Sequence, residues 1–161
     1  MKTILLAVDA PRREARQHPD AAVQEARELS VATGDRVIVL HVHEVAYGRF
    51  GRMQVDCFDG AGEKVVEQIV AELRAAGITA EGWIRSTDTG HIARAIVTAA
   101  GECDARLIVL GSGSRTDLPR IPFGSVSTRL LHLSRRPVLI VPWTTAEASA
   151  TSEELMAEVS G

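Results

Sequence analysis

The chain has 161 residues, 45% hydrophobic and 24% charged, a balance that suits one globular domain with a real core. A formal net charge of −3 and a pI near 6.0 exclude any global pull toward nucleic acid or anionic membrane. No apolar run reaches the ~20 residues that span a bilayer, and the apolar start "TILLAV" is too short for a secretory signal, so a cytoplasmic protein is expected.

Five short apolar runs read as strands: 3–8, 36–42, 79–84, 106–111 and 137–142. Four of them are near-continuous in Val, Ile and Leu, as in parallel strands covered on both faces. Helical spacing fills the gaps. Residues 20–34 place Val23, Ala26 and Leu29 on one face, with Asp20 as cap and Gly34 as stop. Residues 63–77 carry the stripe Val66, Ile69, Val70 and Leu73 and end at Gly77. Residues 90–101 present Ile92, Ala95, Ile96 and Ala99, and residues 125–136 present Val126, Leu130 and Leu133. Residues 43–61 are too long for an ordinary connection and read as a lid or flap. Residues 144–161 hold four glutamates and no basic residue; they read as an acidic, flexible tail outside a domain spanning 1–143, with helical patterning only around Glu153–Val159.

Alternation of strand and helix predicts an α/β fold: a five-stranded parallel sheet with helices on both faces, a Rossmann-like three-layer sandwich. Right-handed crossovers give the strand order 3-2-1-4-5, reversing between the first and fourth strands. Ligands of such sheets bind outside the carboxyl ends of the strands at that reversal, here between Asp9 and Gly111. The last strand lies between Pro137 and Pro142, which suits an edge. A bare "VLIV" edge invites a second copy of itself, giving a two-fold dimer; its own tail is the other available cover.

Beyond the fourth strand lies "GSGSRTDLPRIPFGSVS", residues 111–127. Gly111, Gly113 and Gly124 allow close backbone approach, "GSVS" opens a helix whose free N–H groups favour an anion, and Ser125 and Ser127 add hydroxyls. Segment 111–136 carries five arginines against Asp117 alone. A simple turn capped by Ser125 accounts for the same residues, so the residues alone leave both readings open. A Walker A loop is excluded, because neither lysine (Lys2, Lys64) follows a glycine. The two cysteines, Cys57 and Cys103, are far apart and read as free thiols. His41 and His43 share one face of a strand with no third ligand at useful spacing, and so read as core or hydrogen-bonded histidines. His18, His91 and His132 are scattered and read as surface residues.

Together, "ILLAVDA", "VLHVHE" and "LIVLGSGSRTDLPRIPFGSVSTRLLHLSRRPVLIVP" resemble the universal stress protein family over residues 2–142. Nucleotide-binding members carry Gly-x2-Gly-x9-Gly-[Ser/Thr] in the third block. This chain reads Gly111-x2-Ser114-x9-Gly124-Ser125, with the spacing intact and the second glycine replaced. The resemblance implies that Asp9 meets the nucleoside part of ATP, bound with or without Mg²⁺. It places Ala7, Val42, Leu110 and Gly111 around the adenine, Ser112, Gly113 and Ser114 in a first phosphate loop, and Gly124, Ser125, Val126 and Ser127 around the terminal phosphates. It also implies a homodimer through the last strand, 138–141, and a stress-response sensor that acts on an unknown protein partner. Cleavage of ATP needs a metal site and a group that orients water. Only Asp9 and Asp117 are acids near the crevice and neither is a compelling base, so the reading is a binding protein and not an enzyme. The alternatives are an interaction module of the same fold without nucleotide, or a slow ATPase. A phosphate-accepting receiver domain is ruled out because no lysine follows the last strand.

Overall fold

In the structure, a computed structural model, residues 1–9, 21–48, 51–54, 60–112 and 124–142 are described. Ten elements follow one another along them: β1 (Thr3–Val8), α1 (Ala21–Thr33), β2 (Arg36–Gly48), β3 (Gly51–Gln54), α2 (Ala61–Ala75), β4 (Ala80–Asp88), α3 (Ile92–Glu102), β5 (Ala105–Gly111), α4 (Ser125–Leu133) and β6 (Val138–Val141). The five expected strands are β1, β2, β4, β5 and β6. They pair in parallel in the order β4-β2-β1-β5-β6, which is the expected 3-2-1-4-5.

Two differences concern the strand lengths. β2 runs on to Gly48 and returns as β3, an antiparallel partner from Val45↔Gln54 to Gly48↔Gly51. The first part of the expected flap is therefore sheet. Once β2 passes the last residue it shares with β1 (Val8↔His41), it has pairing capacity to spare, and β4 extends with it as far as Val45↔Asp88. Gly60 and Ala61 open α2, and residues 49–50 and 55–59 of that segment lie outside the described residues, as do Asp20, His18, Cys57 and the tail 144–161.

Two apolar layers cover the sheet. Ile4, Leu6, Val37, Val39 and Val109 face α1 and α2, while Leu5, Ile38, Leu40, Ile108 and Leu110 face α3 and α4. The expected stripe of α2 (Val66, Ile69, Val70, Leu73) is buried as read. Its end is set by Gly77 at φ +79, a left-handed conformation that costs a side chain dearly. Gly77 N–H donates to Arg74 O at 2.9 Å and Ile78 N–H to Leu73 O at 3.0 Å, and the buried Leu73 and Ile78 seal the turn. On α1 the buried residues are Ala22, Ala26 and Ser30, with Val23 and Leu29 only partly covered. Ser30 is turned inward because its hydroxyl donates to Asp35 O at 2.6 Å. Leu133, expected in the core, is 44% exposed and lines a cleft between α4 and the start of α3.

The amino end of the sheet is fastened by Asp35. Its carboxylate accepts from Lys2 N–H at 2.7 Å, from the Thr33 hydroxyl at 3.0 Å and from the Arg106 guanidinium. The Lys2 amide, followed by Arg106 and Thr33, outweighs burial and holds this carboxyl below its usual range.

Candidate functional site

The carboxyl ends of β1 and β5 meet where the winding reverses. Ala7 is flanked by Leu40 on one side and Leu110 on the other, and Asp9 follows exposed just beyond β1. Val42 is buried one step past the last β1–β2 partner. These residues form one apolar rim with a single carboxylate at its lip.

The other wall is built by β5 and α4. Ser112 is buried; its N–H donates to Val141 O at 2.9 Å and its carbonyl accepts from Gly124 N–H at 2.9 Å. The Ser127 hydroxyl lies 3.5 Å from Gly111 O. α4 is thus pinned by its start to the end of β5. The cap residue is Gly124, extended at φ −67 and ψ 169, and it supplies no side-chain cap. Ser125 is therefore the first helical residue and exposed, not the cap that a bare turn would need. The first-turn N–H groups at 125–127 have no intrahelical acceptors and stand beside Gly111. No described atom comes within 4 Å of where a Cβ on Gly111 would sit. The site residues Ala7, Asp9, Val42, Leu110, Gly111, Ser112 and Gly124–Ser127 are brought together; Gly113 and Ser114 lie outside the described residues.

Of the five arginines counted along 111–136, two are tied to partners outside that segment. Arg136 reaches the opposite end of β5, where it meets Asp104 at 3.1 Å and the Ala105 carbonyl. Arg129 donates to Gly90 O at 2.6 Å. Arg115, Asp117 and Arg120 lie outside the described residues. Among the described residues, the feature of this crevice that suits an anion is the helix terminus.

Sequence reading missed how the crevice is braced. Gly90 at φ +82, in the β4–α3 turn, takes Arg129 on its carbonyl while its N–H donates to Glu44 Oε1 at 2.7 Å. Behind β1, the buried His41 and His43 rings pack edge to face with centroids 4.7 Å apart. His41 Nδ1 donates to Val8 O at 3.0 Å, and His43 Nε2 pairs with Glu63 Oε1 at 3.0 Å. Glu63 is held below the usual carboxylate range by its own backbone N–H first and by His43 next, against burial. Gly62 lets these rings fit: a Cβ there would stand 2.2 Å from His41 Cδ2 and 2.9 Å from His43 Cε1. The pair is a hydrogen-bonded core feature, as expected. Among the described residues no group of three His, Cys, Asp or Glu side chains could hold a metal ion.

A parallel doubly wound sheet with an uncapped helix start beside its switch point defines a class of α/β proteins with a ligand crevice at that point. Within that class, the universal stress protein family model matches residues 1–142, and the chain belongs to this family. Among solved structures it is similar to a universal stress protein from Archaeoglobus fulgidus in complex with dAMP, at 24% identity and a TM-score of 0.61, covering 88% of this chain and 98% of that one. A protein of the family from Burkholderia pseudomallei is 27% identical with a TM-score of 0.63, covering 88% and 96%. A family member from Arabidopsis thaliana with AMP bound is 19% identical with a TM-score of 0.58, covering 91% and 95%. No curated protein sequence matches the chain. Among the described residues no helix is long and apolar enough to cross a membrane.

Proposed function

We propose that this chain is an adenine-nucleotide-binding stress-response protein, with ATP as its ligand, acting as a dimeric sensor and not as a catalyst. One observation carries the reading: the uncapped first turn of α4 is held by the 2.9 Å Gly124–Ser112 bond directly beside Gly111, at the sheet's switch point. Relatives bound to dAMP and AMP support an adenine nucleotide as the occupant. In this reading Asp9 meets the nucleoside, Ala7, Val42 and Leu110 shape the adenine side, and the N–H groups at 125–127 with the Ser125 hydroxyl receive phosphate oxygens. Ser112, Gly113 and Ser114 complete the phosphate loop. Occupancy then alters the surface around the crevice, and a protein partner reads that surface.

The open edge of β6 is what supports the dimer in this reading. The carbonyls of Pro137 and Val141 accept from Ile108 of β5 and from Ser112 just beyond it, so strand alternation turns the backbone groups of Val138 and Ile140 to the open edge. Val138, Leu139 and Ile140 are only half-buried there. A second copy pairing antiparallel along this edge would satisfy both sets of groups.

The test is calorimetric titration of nucleotide-free protein with ATP, with and without Mg²⁺, beside the Gly111→Val variant. A branched side chain at 111 projects into space that no described atom occupies, so the fold should tolerate it while the crevice closes. Saturable binding to the native chain, lost in the variant, is expected. No binding up to millimolar ATP would overturn the nucleotide reading and leave an interaction module of the same fold.

A further inference from the structure

β1 pairs with β5 only as far as Ala7↔Leu110 and with β2 one step further, at Val8↔His41. The peptide that follows, Val8–Asp9, carries the chain out of the sheet to the carboxylate at the lip of the crevice. Lys2 O accepts from Arg36 N–H, so alternation along β1 turns the Val8 carbonyl toward β2 as well. The peptide is trans, so its other polar group, the Asp9 N–H, is turned toward β5. Rotation of this one plane re-aims Asp9. A side chain holds the plane in place: His41 Nδ1 lies 3.0 Å from Val8 O. A carbonyl oxygen can only accept, so the ring carries a proton on Nδ1.

Packing alone does not account for a histidine at this position. His41 is 1% exposed, and its Nε2, with His43 Nδ1 and Glu63 Oε2, is buried without a hydrogen-bond partner among the described residues. An unpaired buried polar atom costs stability that an apolar side chain of similar size would not. What the histidine supplies is a short, stiff donor at a set place. The His43 ring packs against it with 83° between the planes, and His43 is itself tied to Glu63 on the first turn of α2. We infer that His41 is a positioning residue for the crevice: it holds the Val8–Asp9 peptide, and through it the direction of the Asp9 carboxylate. That this carboxylate meets a nucleoside rests on the function proposed above; that His41 aims it does not.

The test begins with the native chain and then compares His41→Leu with His41→Asn, side chains of like shape of which only asparagine has a donor at the place of Nδ1. Nitrogen NMR spectra of the native imidazoles should show His41 protonated at Nδ1, and a ring bare at Nδ1 would overturn the proposal without any variant. The Asp9 amide signal should move in His41→Leu and return toward its native position in His41→Asn, while the other amide signals report that the fold is intact. ATP affinity should fall about threefold to tenfold in His41→Leu, the size of one lost hydrogen bond, and recover in His41→Asn. In an Asp9→Ala background the same leucine substitution should change affinity by less than about twofold. An Asp9 signal that ignores residue 41, or an affinity loss equal with and without the Asp9 carboxylate, would refute the positioning role. A native chain that binds no ATP would instead remove the nucleoside from the reading, and the ring and amide signals would still decide what His41 does.

Discussion

Replacing Gly62 by alanine adds one carbon, and the structure states where it would go. That carbon would lie 2.2 Å from His41 Cδ2, 2.5 Å from His41 Nε2 and 2.9 Å from His43 Cε1. Neither ring is free to retreat. His41 is tied to Val8 O and fully buried, and His43 is tied to Glu63. Alanine favours a helix over glycine by about 1 kcal/mol, less near a terminus such as this one. Overpacking a tight site costs roughly 1–3 kcal/mol, so the net effect should be a loss of about 1–2 kcal/mol. For a chain of this size, a 2 kcal/mol loss lowers Tm by roughly 4–8 °C. Thermal unfolding followed by circular dichroism measures it, and a companion His41→Ala variant tests the cause. With the His41 ring gone only the 2.9 Å approach to His43 Cε1 remains, so Gly62→Ala should cost less and the two changes should couple by about 1 kcal/mol in a double-mutant cycle. A Gly62→Ala protein as stable as the native chain, or an additive cycle, would refute the steric account.

Asp35 supplies a pH dependence with a definite sign. Its folded pKa is depressed below its ordinary value of 3.8, so its contribution is complete above that value and declines as pH falls through the lower folded one. Asp35→Asn should therefore lose stability at neutral pH and show a flatter acid limb in denaturant titrations between neutrality and pH 3; a parallel limb would contradict the linkage. Burial raises the Cys103 thiol above its usual pKa, so in a Cys57→Ser background it should react with a thiol reagent far more slowly than in unfolding denaturant. Equal rates in the two conditions would show that the α3 end is open. Ile140→Pro removes an edge-facing N–H from β6 and should convert a dimer to a folded monomer in sedimentation analysis, and an unchanged mass would place the dimer contact elsewhere.

The parts of the fold that were legible in the sequence share a cause: burial on a regular period. The α2 stripe and the strands buried on both faces follow directly from apolar spacing, and the strand order follows from crossover handedness. What was not legible depends on partners far away in the chain. Ser30 is buried because Asp35 O meets it, and Gly62 is required because two histidines twenty residues earlier occupy its side-chain space. The β2–β3 hairpin carries no long apolar alternation to announce it. In the candidate site, glycine and serine spacing marked the helix start, and the structure brings Gly111, Ser112, Gly124, Ser125 and Ser127 together there. The arginine count carried no direction: Arg129 and Arg136, on one short stretch of chain, reach toward opposite ends of the sheet.

Gly90 joins three segments that lie far apart in the chain: Glu44 beyond the middle of β2, its own turn after β4, and Arg129 on α4. The first two belong to one winding of the sheet and the third to the other. The Glu44 bond closes within the first winding, and the Arg129 bond to the Gly90 carbonyl is the one that crosses to the second. Arg129→Ala should consequently loosen the contact between the two halves while the Gly90 N–H stays bonded to Glu44 and the strands within each half remain paired.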